Sequence, residues 1–193
     1  FSKIFINNDY YLCENDILKF ATEIEGHPDN LAPAIFGGFT AAVRDGDAVR
    51  SVRYPLSSAL RFLAVIPDFE LSTARARQVM PAQYSREDAV FNLSRTALLI
   101  RAFEAADMDL LRFSVKDRLH QPYRLPLIPG AEEVFAAAEK EGAAAFISGA
   151  GSTLMIVSDS EAAEARLRET LSGRFPSWAL LPQEVDPQGL QIL

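Results

Sequence analysis

Apolar positions along the chain follow two periods. Phe1 to Ile6 alternates apolar and polar side chains at the spacing of a strand, and the stretch after it changes to helical spacing, with Ile17, Leu18, Ala21 and Ile24 on one face. Asn15 or Asp16 is the expected N-cap, and Gly26-His27-Pro28 ends the helix, because a residue before proline is pushed out of the α region. From Ile35 the text becomes β-like. FGGFTAAV and AVRSVRYPL alternate on either side of Asp45-Gly46-Asp47, which predicts a hairpin. A serine-bearing step, Pro55-Leu-Ser-Ser, precedes the run Leu60 to Ile66, which has the continuous apolar character of a buried strand and is closed by Pro67. A domain boundary near residue 57 follows, dividing the chain into 1–57 and 58–193.

Beyond the boundary the period is mostly helical. Leu71-Ser72-Thr73 offers cap hydroxyls to a helix stopped by Pro81. Ser85, with Glu87 and Asp88 after it, opens a second helix whose expected apolar face is Ala89, Val90, Leu93, Ala97 and Ile100. Met108 to Val115 reads as another helix, Lys116 to Arg124 as a polar crossing, and Ala131 to Lys140 as a helix ended by Gly142. Ala143 to Ile147 and Thr153 to Val157 read as strands joined by the turn Ser148-Gly149-Ala150-Gly151-Ser152. Glu161 to Leu171 is the last helix and Trp178 to Val185 the last strand. The order predicts an α+β fold with helices packed on an antiparallel sheet.

Composition narrows the function classes. With 26 acidic against 19 basic side chains, a net charge of −7 argues against a general nucleic-acid or membrane-surface binder, although a local arginine cluster can still recognise an anion. The 49% apolar content supplies a real core. No apolar run has the length of a membrane-spanning helix. The lone Cys13 has no intramolecular disulfide partner and fits a reducing cytosol, so the expectation is a soluble cytoplasmic protein. The chain opens on Phe-Ser-Lys-Ile-Phe-Ile without an initiator methionine, which reads as a fragment of a longer chain.

Candidate chemistry concentrates in Glu25 to Gly38, EGHPDNLAPAIFGG. His27, Asp29 and Asn30 are three hydrogen-bonding side chains within four residues, stiffened by Pro28 and suited to a small polar ligand. The same residue types also suit an Asx-type turn after a helix. Glu23 and Glu25 lie near the C-terminus of the preceding helix, where the macrodipole disfavours negative charge unless a cation compensates; solvated side chains are the plainer explanation. The spacing argues against a zinc site, because the two histidines and one cysteine match no ligand set. The glycine turn can present N–H groups to an anion, as a plain hairpin also can, and it lacks the lysine of a P-loop. Arg75, Arg77 and Arg124 are the arginines whose forks are best placed to hold a carboxylate or phosphate.

Taken together, EGHPDNLAPAIFGG, LSTARARQVMP, QPYRLPLIPG and ISGAGSTLMI resemble, in order and spacing, the later part of the homoserine kinases of the GHMP kinase superfamily. HPDN followed by APAIFGG separates that family from its relatives; the glycine turn is shared across the superfamily. The resemblance implies transfer of the ATP γ-phosphate to the side-chain hydroxyl of L-homoserine, with Mg²⁺, on the route to threonine. A GHMP kinase for another small alcohol and an inactive binding fragment are the competing expectations. Residues 1–57 would be the remainder of the N-terminal GHMP domain, and 58–193 a ferredoxin-like C-terminal domain. His27, Asp29 and Asn30 would line the homoserine site, with Asn30 nearest the reacting hydroxyl and Asp29 a base or an aligning group. Thr73, Arg77 and Arg124 match family positions around the amino acid, the two arginines clamping its carboxylate, whereas Arg75 matches none. Ser148, Gly149, Ala150, Gly151 and Ser152 would support the phosphate and substrate site, Ser152 standing where proline is common. The metal glutamate would be Glu23 or Glu25. The ATP-binding loop of the type PxxxGLGSSAA is not among these residues and is expected upstream, so the isolated chain is expected to be inactive. The resemblance also implies a homodimer.

Overall fold

The computed structural model describes residues 3–6 and 10–191. They form two compact units, Phe1–Leu56 with Val185–Leu193, and Ser57–Glu184. The final segment thus belongs with the first unit, whereas the sequence pattern had assigned everything beyond residue 57 to the second.

The first unit begins with the antiparallel pair β1 (Lys3–Ile6) and β2 (Tyr10–Cys13) and helix α1 (Glu14–Glu25). The N-cap is Cys13, not Asn15 or Asp16. Asp16 instead sits at the third helical position, where its Oδ2 accepts the Cys13 backbone N–H at 2.9 Å, satisfying a donor that the helix start leaves free. Of the expected face, Leu18 is buried, but Ile24 is 89% exposed. A short helix, α2 (Leu31–Phe36), follows. It was not anticipated, because β-branching and aromatics after Ala34 favour a strand while the turn geometry starting at Pro28 favours a helix: Ala32 N–H donates to the Pro28 carbonyl at 2.9 Å. Leu18, Ala32 and Ile35 make the core of this unit. The predicted hairpin is present as β3 (Phe39–Asp45) and β4 (Ala48–Tyr54), paired from Phe39↔Tyr54 to Asp45↔Ala48 so that Gly46-Asp47 forms the two-residue turn.

The C-terminal segment runs against the α2–β3 junction. Gly38 N–H donates to Asp186 O at 2.7 Å and Leu190 N–H to Ile35 O at 3.1 Å. The backbones approach so closely that a Cβ on Gly37 would lie 2.7 Å from the Gly189 nitrogen. Glycine is required there for clearance as well as for its φ of +67°.

The second unit is a four-stranded antiparallel sheet in the order β6–β7–β5–β8, made of β5 (Arg61–Ile66), β6 (Ala144–Ile147), β7 (Leu154–Ser158) and β8 (Ala179–Gln183). Its helices are α3 (Thr73–Gln78), α4 (Arg86–Ala105), α5 (Met108–Ser114), α6 (Gln121–Arg124), α7 (Ala131–Lys140) and α8 (Glu161–Arg174). Leu63, Val65, Leu154 and Ile156 from the strands pack with Val134, Ala138, Leu167 and Leu171 from α7 and α8. Each fully buried aliphatic side chain of this kind contributes about 1.5–3 kcal/mol. Ser72 and Ser85 cap α3 and α4 as predicted, each hydroxyl accepting a backbone N–H three residues on. The predicted apolar face of α4 is not the buried one. Val90 and Leu93 are 56% and 73% exposed, and burial shifts to the far end, at Ala102 and Phe103. Nearer the start, Phe91 and Arg95 turn inward, the guanidinium lying 3.3 Å from the Phe91 ring centre and 4.4 Å from that of Phe113. Arginine stacking on aromatic faces replaces the aliphatic contact that a simple apolar stripe implies.

Candidate functional site

In the first unit, α1 ends on Gly26 in the left-handed region, and the chain turns through His27 to Asn30 before α2 begins. Pro28 is buried and anchors the turn, while His27, Asp29 and Asn30 are exposed. Asp29 Oδ1 accepts the Asn30 backbone N–H at 3.0 Å. Asn30 stands at the N-cap of α2 without making a side-chain cap bond. Glu23 and Glu25 are exposed on the last turn of α1, which carries no basic residue. Two residues apart on a helix, they do not face each other, so a single ion would use one of them. Among the described residues no three His, Cys, Asp or Glu side chains cluster as a metal site would.

In the second unit, Thr73 and Arg77 are one helical turn apart on α3, exposed on the same side. Arg75 falls between them on a different face, and Ala76 is buried. The glycine turn joins β6 to β7 and is tied on two sides. Ser152 Oγ donates to the Phe69 carbonyl at 2.8 Å, next to the segment that leads into α3. From the other side Arg124 Nη1 donates to the Gly149 carbonyl at 3.0 Å. Within the turn Gly151 has φ +90°, and the Gly151–Ser152 peptide is cis. A Cβ on Gly151 would lie 3.0 Å from Ile128 Cδ1 and 3.3 Å from Leu71 Cδ2. Arg124, the turn and the entry to α3 are therefore brought together within this unit.

Asp117 was missed by sequence reasoning, where Lys116 to Arg124 read as an undifferentiated crossing. Its carboxylate accepts Asn92 Nδ2 at 2.6 Å and the backbone N–H groups of Leu119, His120 and Gln121 at 2.7, 2.8 and 2.6 Å. It thereby takes up free N–H groups at the start of the short helix that carries Arg124, whose N-cap is His120. Burial alone would raise its pKa, but these bonds outweigh it and hold the carboxyl below its ordinary value. Gln121 extends the network: its Nε2 donates to Val115 O at 3.1 Å, and its Oε1 accepts the Ile147 N–H at 3.0 Å, at the end of β6. On its other side this network borders a cavity of about 510 Å³ lined also by Lys116, Leu125, Phe135 and Ala144. The local signal for Asp117 was an acidic residue just before Gln121-Pro122; nothing local identified Asn92 as its partner.

Residues 99–177 match the family described as GHMP kinases C terminal. The homoserine kinase of Clostridium beijerinckii is 40% identical over 93% of this chain and 61% of its own length. That of Moorella thermoacetica is 51% identical over 72% of this chain and 48% of its own. The chain carries a GHMP kinase C-terminal domain. The relatives it matches are homoserine kinases, and it spans about three fifths of the length of the Clostridium one. The crystal structure of a homoserine kinase from Cytophaga hutchinsonii superposes with a TM-score of 0.84 at 29% identity, over 95% of this chain and 61% of that one. Leishmania major mevalonate kinase, at 16% identity and a TM-score of 0.64 over 90% of this chain and 59% of its own, shares the fold. This is the α+β GHMP architecture that the sequence blocks predicted. No described helix is long and apolar enough to cross a membrane.

Proposed function

We propose that this chain is the acceptor-recognising part of a homoserine kinase, an enzyme that moves the γ-phosphate of ATP to the side-chain hydroxyl of L-homoserine in the cytoplasm on the route to threonine. The observation that carries the reading is 40% identity to a named homoserine kinase across nearly the whole chain, with HPDN and PYRLP in their expected order.

Arg77 and Arg124 hold the amino acid's carboxylate in this reading, with Thr73 beside it. Charge-assisted forks fix both the position and the rotation of a small substrate. His27, Asp29 and Asn30 line the acceptor, Asn30 directing its amide to the reacting hydroxyl and Asp29 stiffening the turn through its bond to the Asn30 N–H. The glycine turn backs the site through its tie to Arg124. Phosphoryl transfer involves little covalent chemistry for a protein to perform, so alignment of the hydroxyl for in-line attack accounts for most of what these residues contribute. Mg²⁺ neutralises charge on the transferring phosphates when bound. Such an ion needs only one or two protein carboxylates beside the phosphates, and Glu23 or Glu25, exposed at a helix end without a compensating cation, fits that requirement. Assembly as a homodimer belongs to the same reading and is checked by light scattering.

Kinetics of arginine variants in the intact enzyme test the clamp. Losing a hydrogen bond to a charged group costs about 1.5–3 kcal/mol, so Arg77→Ala and Arg124→Ala should each raise the homoserine KM about 10- to 100-fold while leaving the ATP KM within about twofold. An unchanged homoserine KM would remove the clamp from the account. The 193-residue chain, which does not contain a PxxxGLGSSAA loop, should show no kinase turnover and no micromolar Mg-ATP binding by calorimetric titration.

A further inference from the structure

We propose that Asp117 is a positioning residue for substrate recognition, acting through Arg124; the proposal rests on the reading that Arg124 holds the substrate's carboxylate. A four-residue helix has no internal stability to hold a side chain in place. The helix carrying Arg124 nevertheless sits on a fully specified frame. Asp117 takes three consecutive backbone N–H groups at its start, including that of Gln121, and Asn92 on α4 holds the carboxylate from behind. Asn92 also accepts the Arg118 N–H at 2.9 Å, so one amide fixes both the carboxylate and the chain that follows it. Gln121 then bonds the end of β6, and three residues on Arg124 bonds the turn that leaves β6. Both contacts place α6 against the same strand end.

The frame gives Arg124 one orientation. Its Nη1 is engaged by the Gly149 carbonyl, and Tyr123 beside it packs edge-on against Tyr84, with ring centres 6.3 Å apart. Without the Asp117 carboxylate, three backbone donors and the Asn92 amide lose their acceptor, and the short helix loses the restraint at its start. The fork would then sample orientations that no longer match a planar carboxylate. Misplacement of an aligned group by about 1 Å can cost about a hundredfold.

The test compares acceptors in the intact enzyme. Asp117→Ala should raise the KM for L-homoserine roughly tenfold, with the ATP KM unchanged. The same variant should alter the KM for 2-amino-1,4-butanediol, where hydroxymethyl replaces the carboxylate, by less than about twofold. In an Arg124→Ala background the homoserine effect of Asp117→Ala should shrink to less than about twofold, because coupled positions are not additive. Equal losses for both acceptors, or an undiminished loss without Arg124, would assign Asp117 to general stability and overturn the proposal. Asn92→Ala keeps the carboxylate and its backbone donors; it should give a smaller rise of the same acceptor-selective kind, and decides the matter if Asp117→Ala does not fold. An Arg124→Ala variant whose own homoserine KM is unchanged rejects the underlying clamp, separately from the Asp117 comparison.

Discussion

Gly151→Ala adds one methyl group at the point where the glycine turn meets the core, and its cost can be worked from two terms. At φ +90° an L side chain is strained by about 1–2 kcal/mol. The new Cβ would stand 3.0 Å from Ile128 Cδ1. Ile128 is 1% exposed and belongs to the main core cluster, so its methyl has no free space to enter, and overpacking of this kind costs about 1–3 kcal/mol. The sum is about 2–5 kcal/mol, which for a chain of this size lowers Tm by roughly 4–20 °C. Ile128→Val removes the obstructing Cδ1 at its own cost of about 0.5–1.5 kcal/mol. In urea unfolding, the double variant should therefore be less destabilised than the sum of the singles by about 1 kcal/mol. The backbone term should remain. A Gly151→Ala protein within about 0.5 kcal/mol of wild type, or strict additivity with Ile128→Val, would refute the packing argument.

Gly37→Ala should be severe for another reason, since its Cβ would meet the backbone of Pro187 and Gly189 at 2.7 Å and no side chain can swing away; hydrogen exchange should show the Gly38 and Leu190 amides losing protection. Asp117 provides a pH signature. Its folded pKa is held below the unfolded value, so its contribution to stability is full above roughly pH 4–5 and is lost as pH falls through the folded value. The stability gap between wild type and Asp117→Asn, from urea unfolding at stepped pH, should therefore shrink on acidification; a gap constant from pH 6 to pH 2 would contradict the hydrogen-bond assignment.

Much of the second unit was legible because its signals are local. Ser72 and Ser85 announce α3 and α4 by hydroxyl caps, Gly142 ends α7, and the apolar run ending at Ile66 has no helical period. Failures came where a contact that the polarity pattern does not encode decided the outcome. Leu31–Phe36 turned helical because Pro28 starts the turn, against the β propensity of Ile35 and Phe36. The face of α4 rotated because Arg95 stacks between Phe91 and Phe113, an arrangement a polarity pattern scores as exposed. The return of the C-terminal segment to the first unit depends on close approach of Gly37 and Gly189, which lie far apart in sequence. In the candidate site, residue types in HPDN and PYRLP were visible as chemistry, but the bond from Arg124 to Gly149 spans 25 residues and the one from Asn92 to Asp117 also spans 25. Neither pairing has a sequence period to reveal it.

The most direct measurement of the central claim is phosphorus NMR of the product formed when the intact enzyme is given Mg-ATP and an equimolar mixture of L-homoserine, 2-amino-1,4-butanediol and mevalonate. Recognition of an amino-acid carboxylate by Arg77 and Arg124 predicts O-phospho-L-homoserine as the dominant product, with that preference lost in Arg124→Ala. Phosphorylation of the diol or of mevalonate in preference to L-homoserine would contradict it.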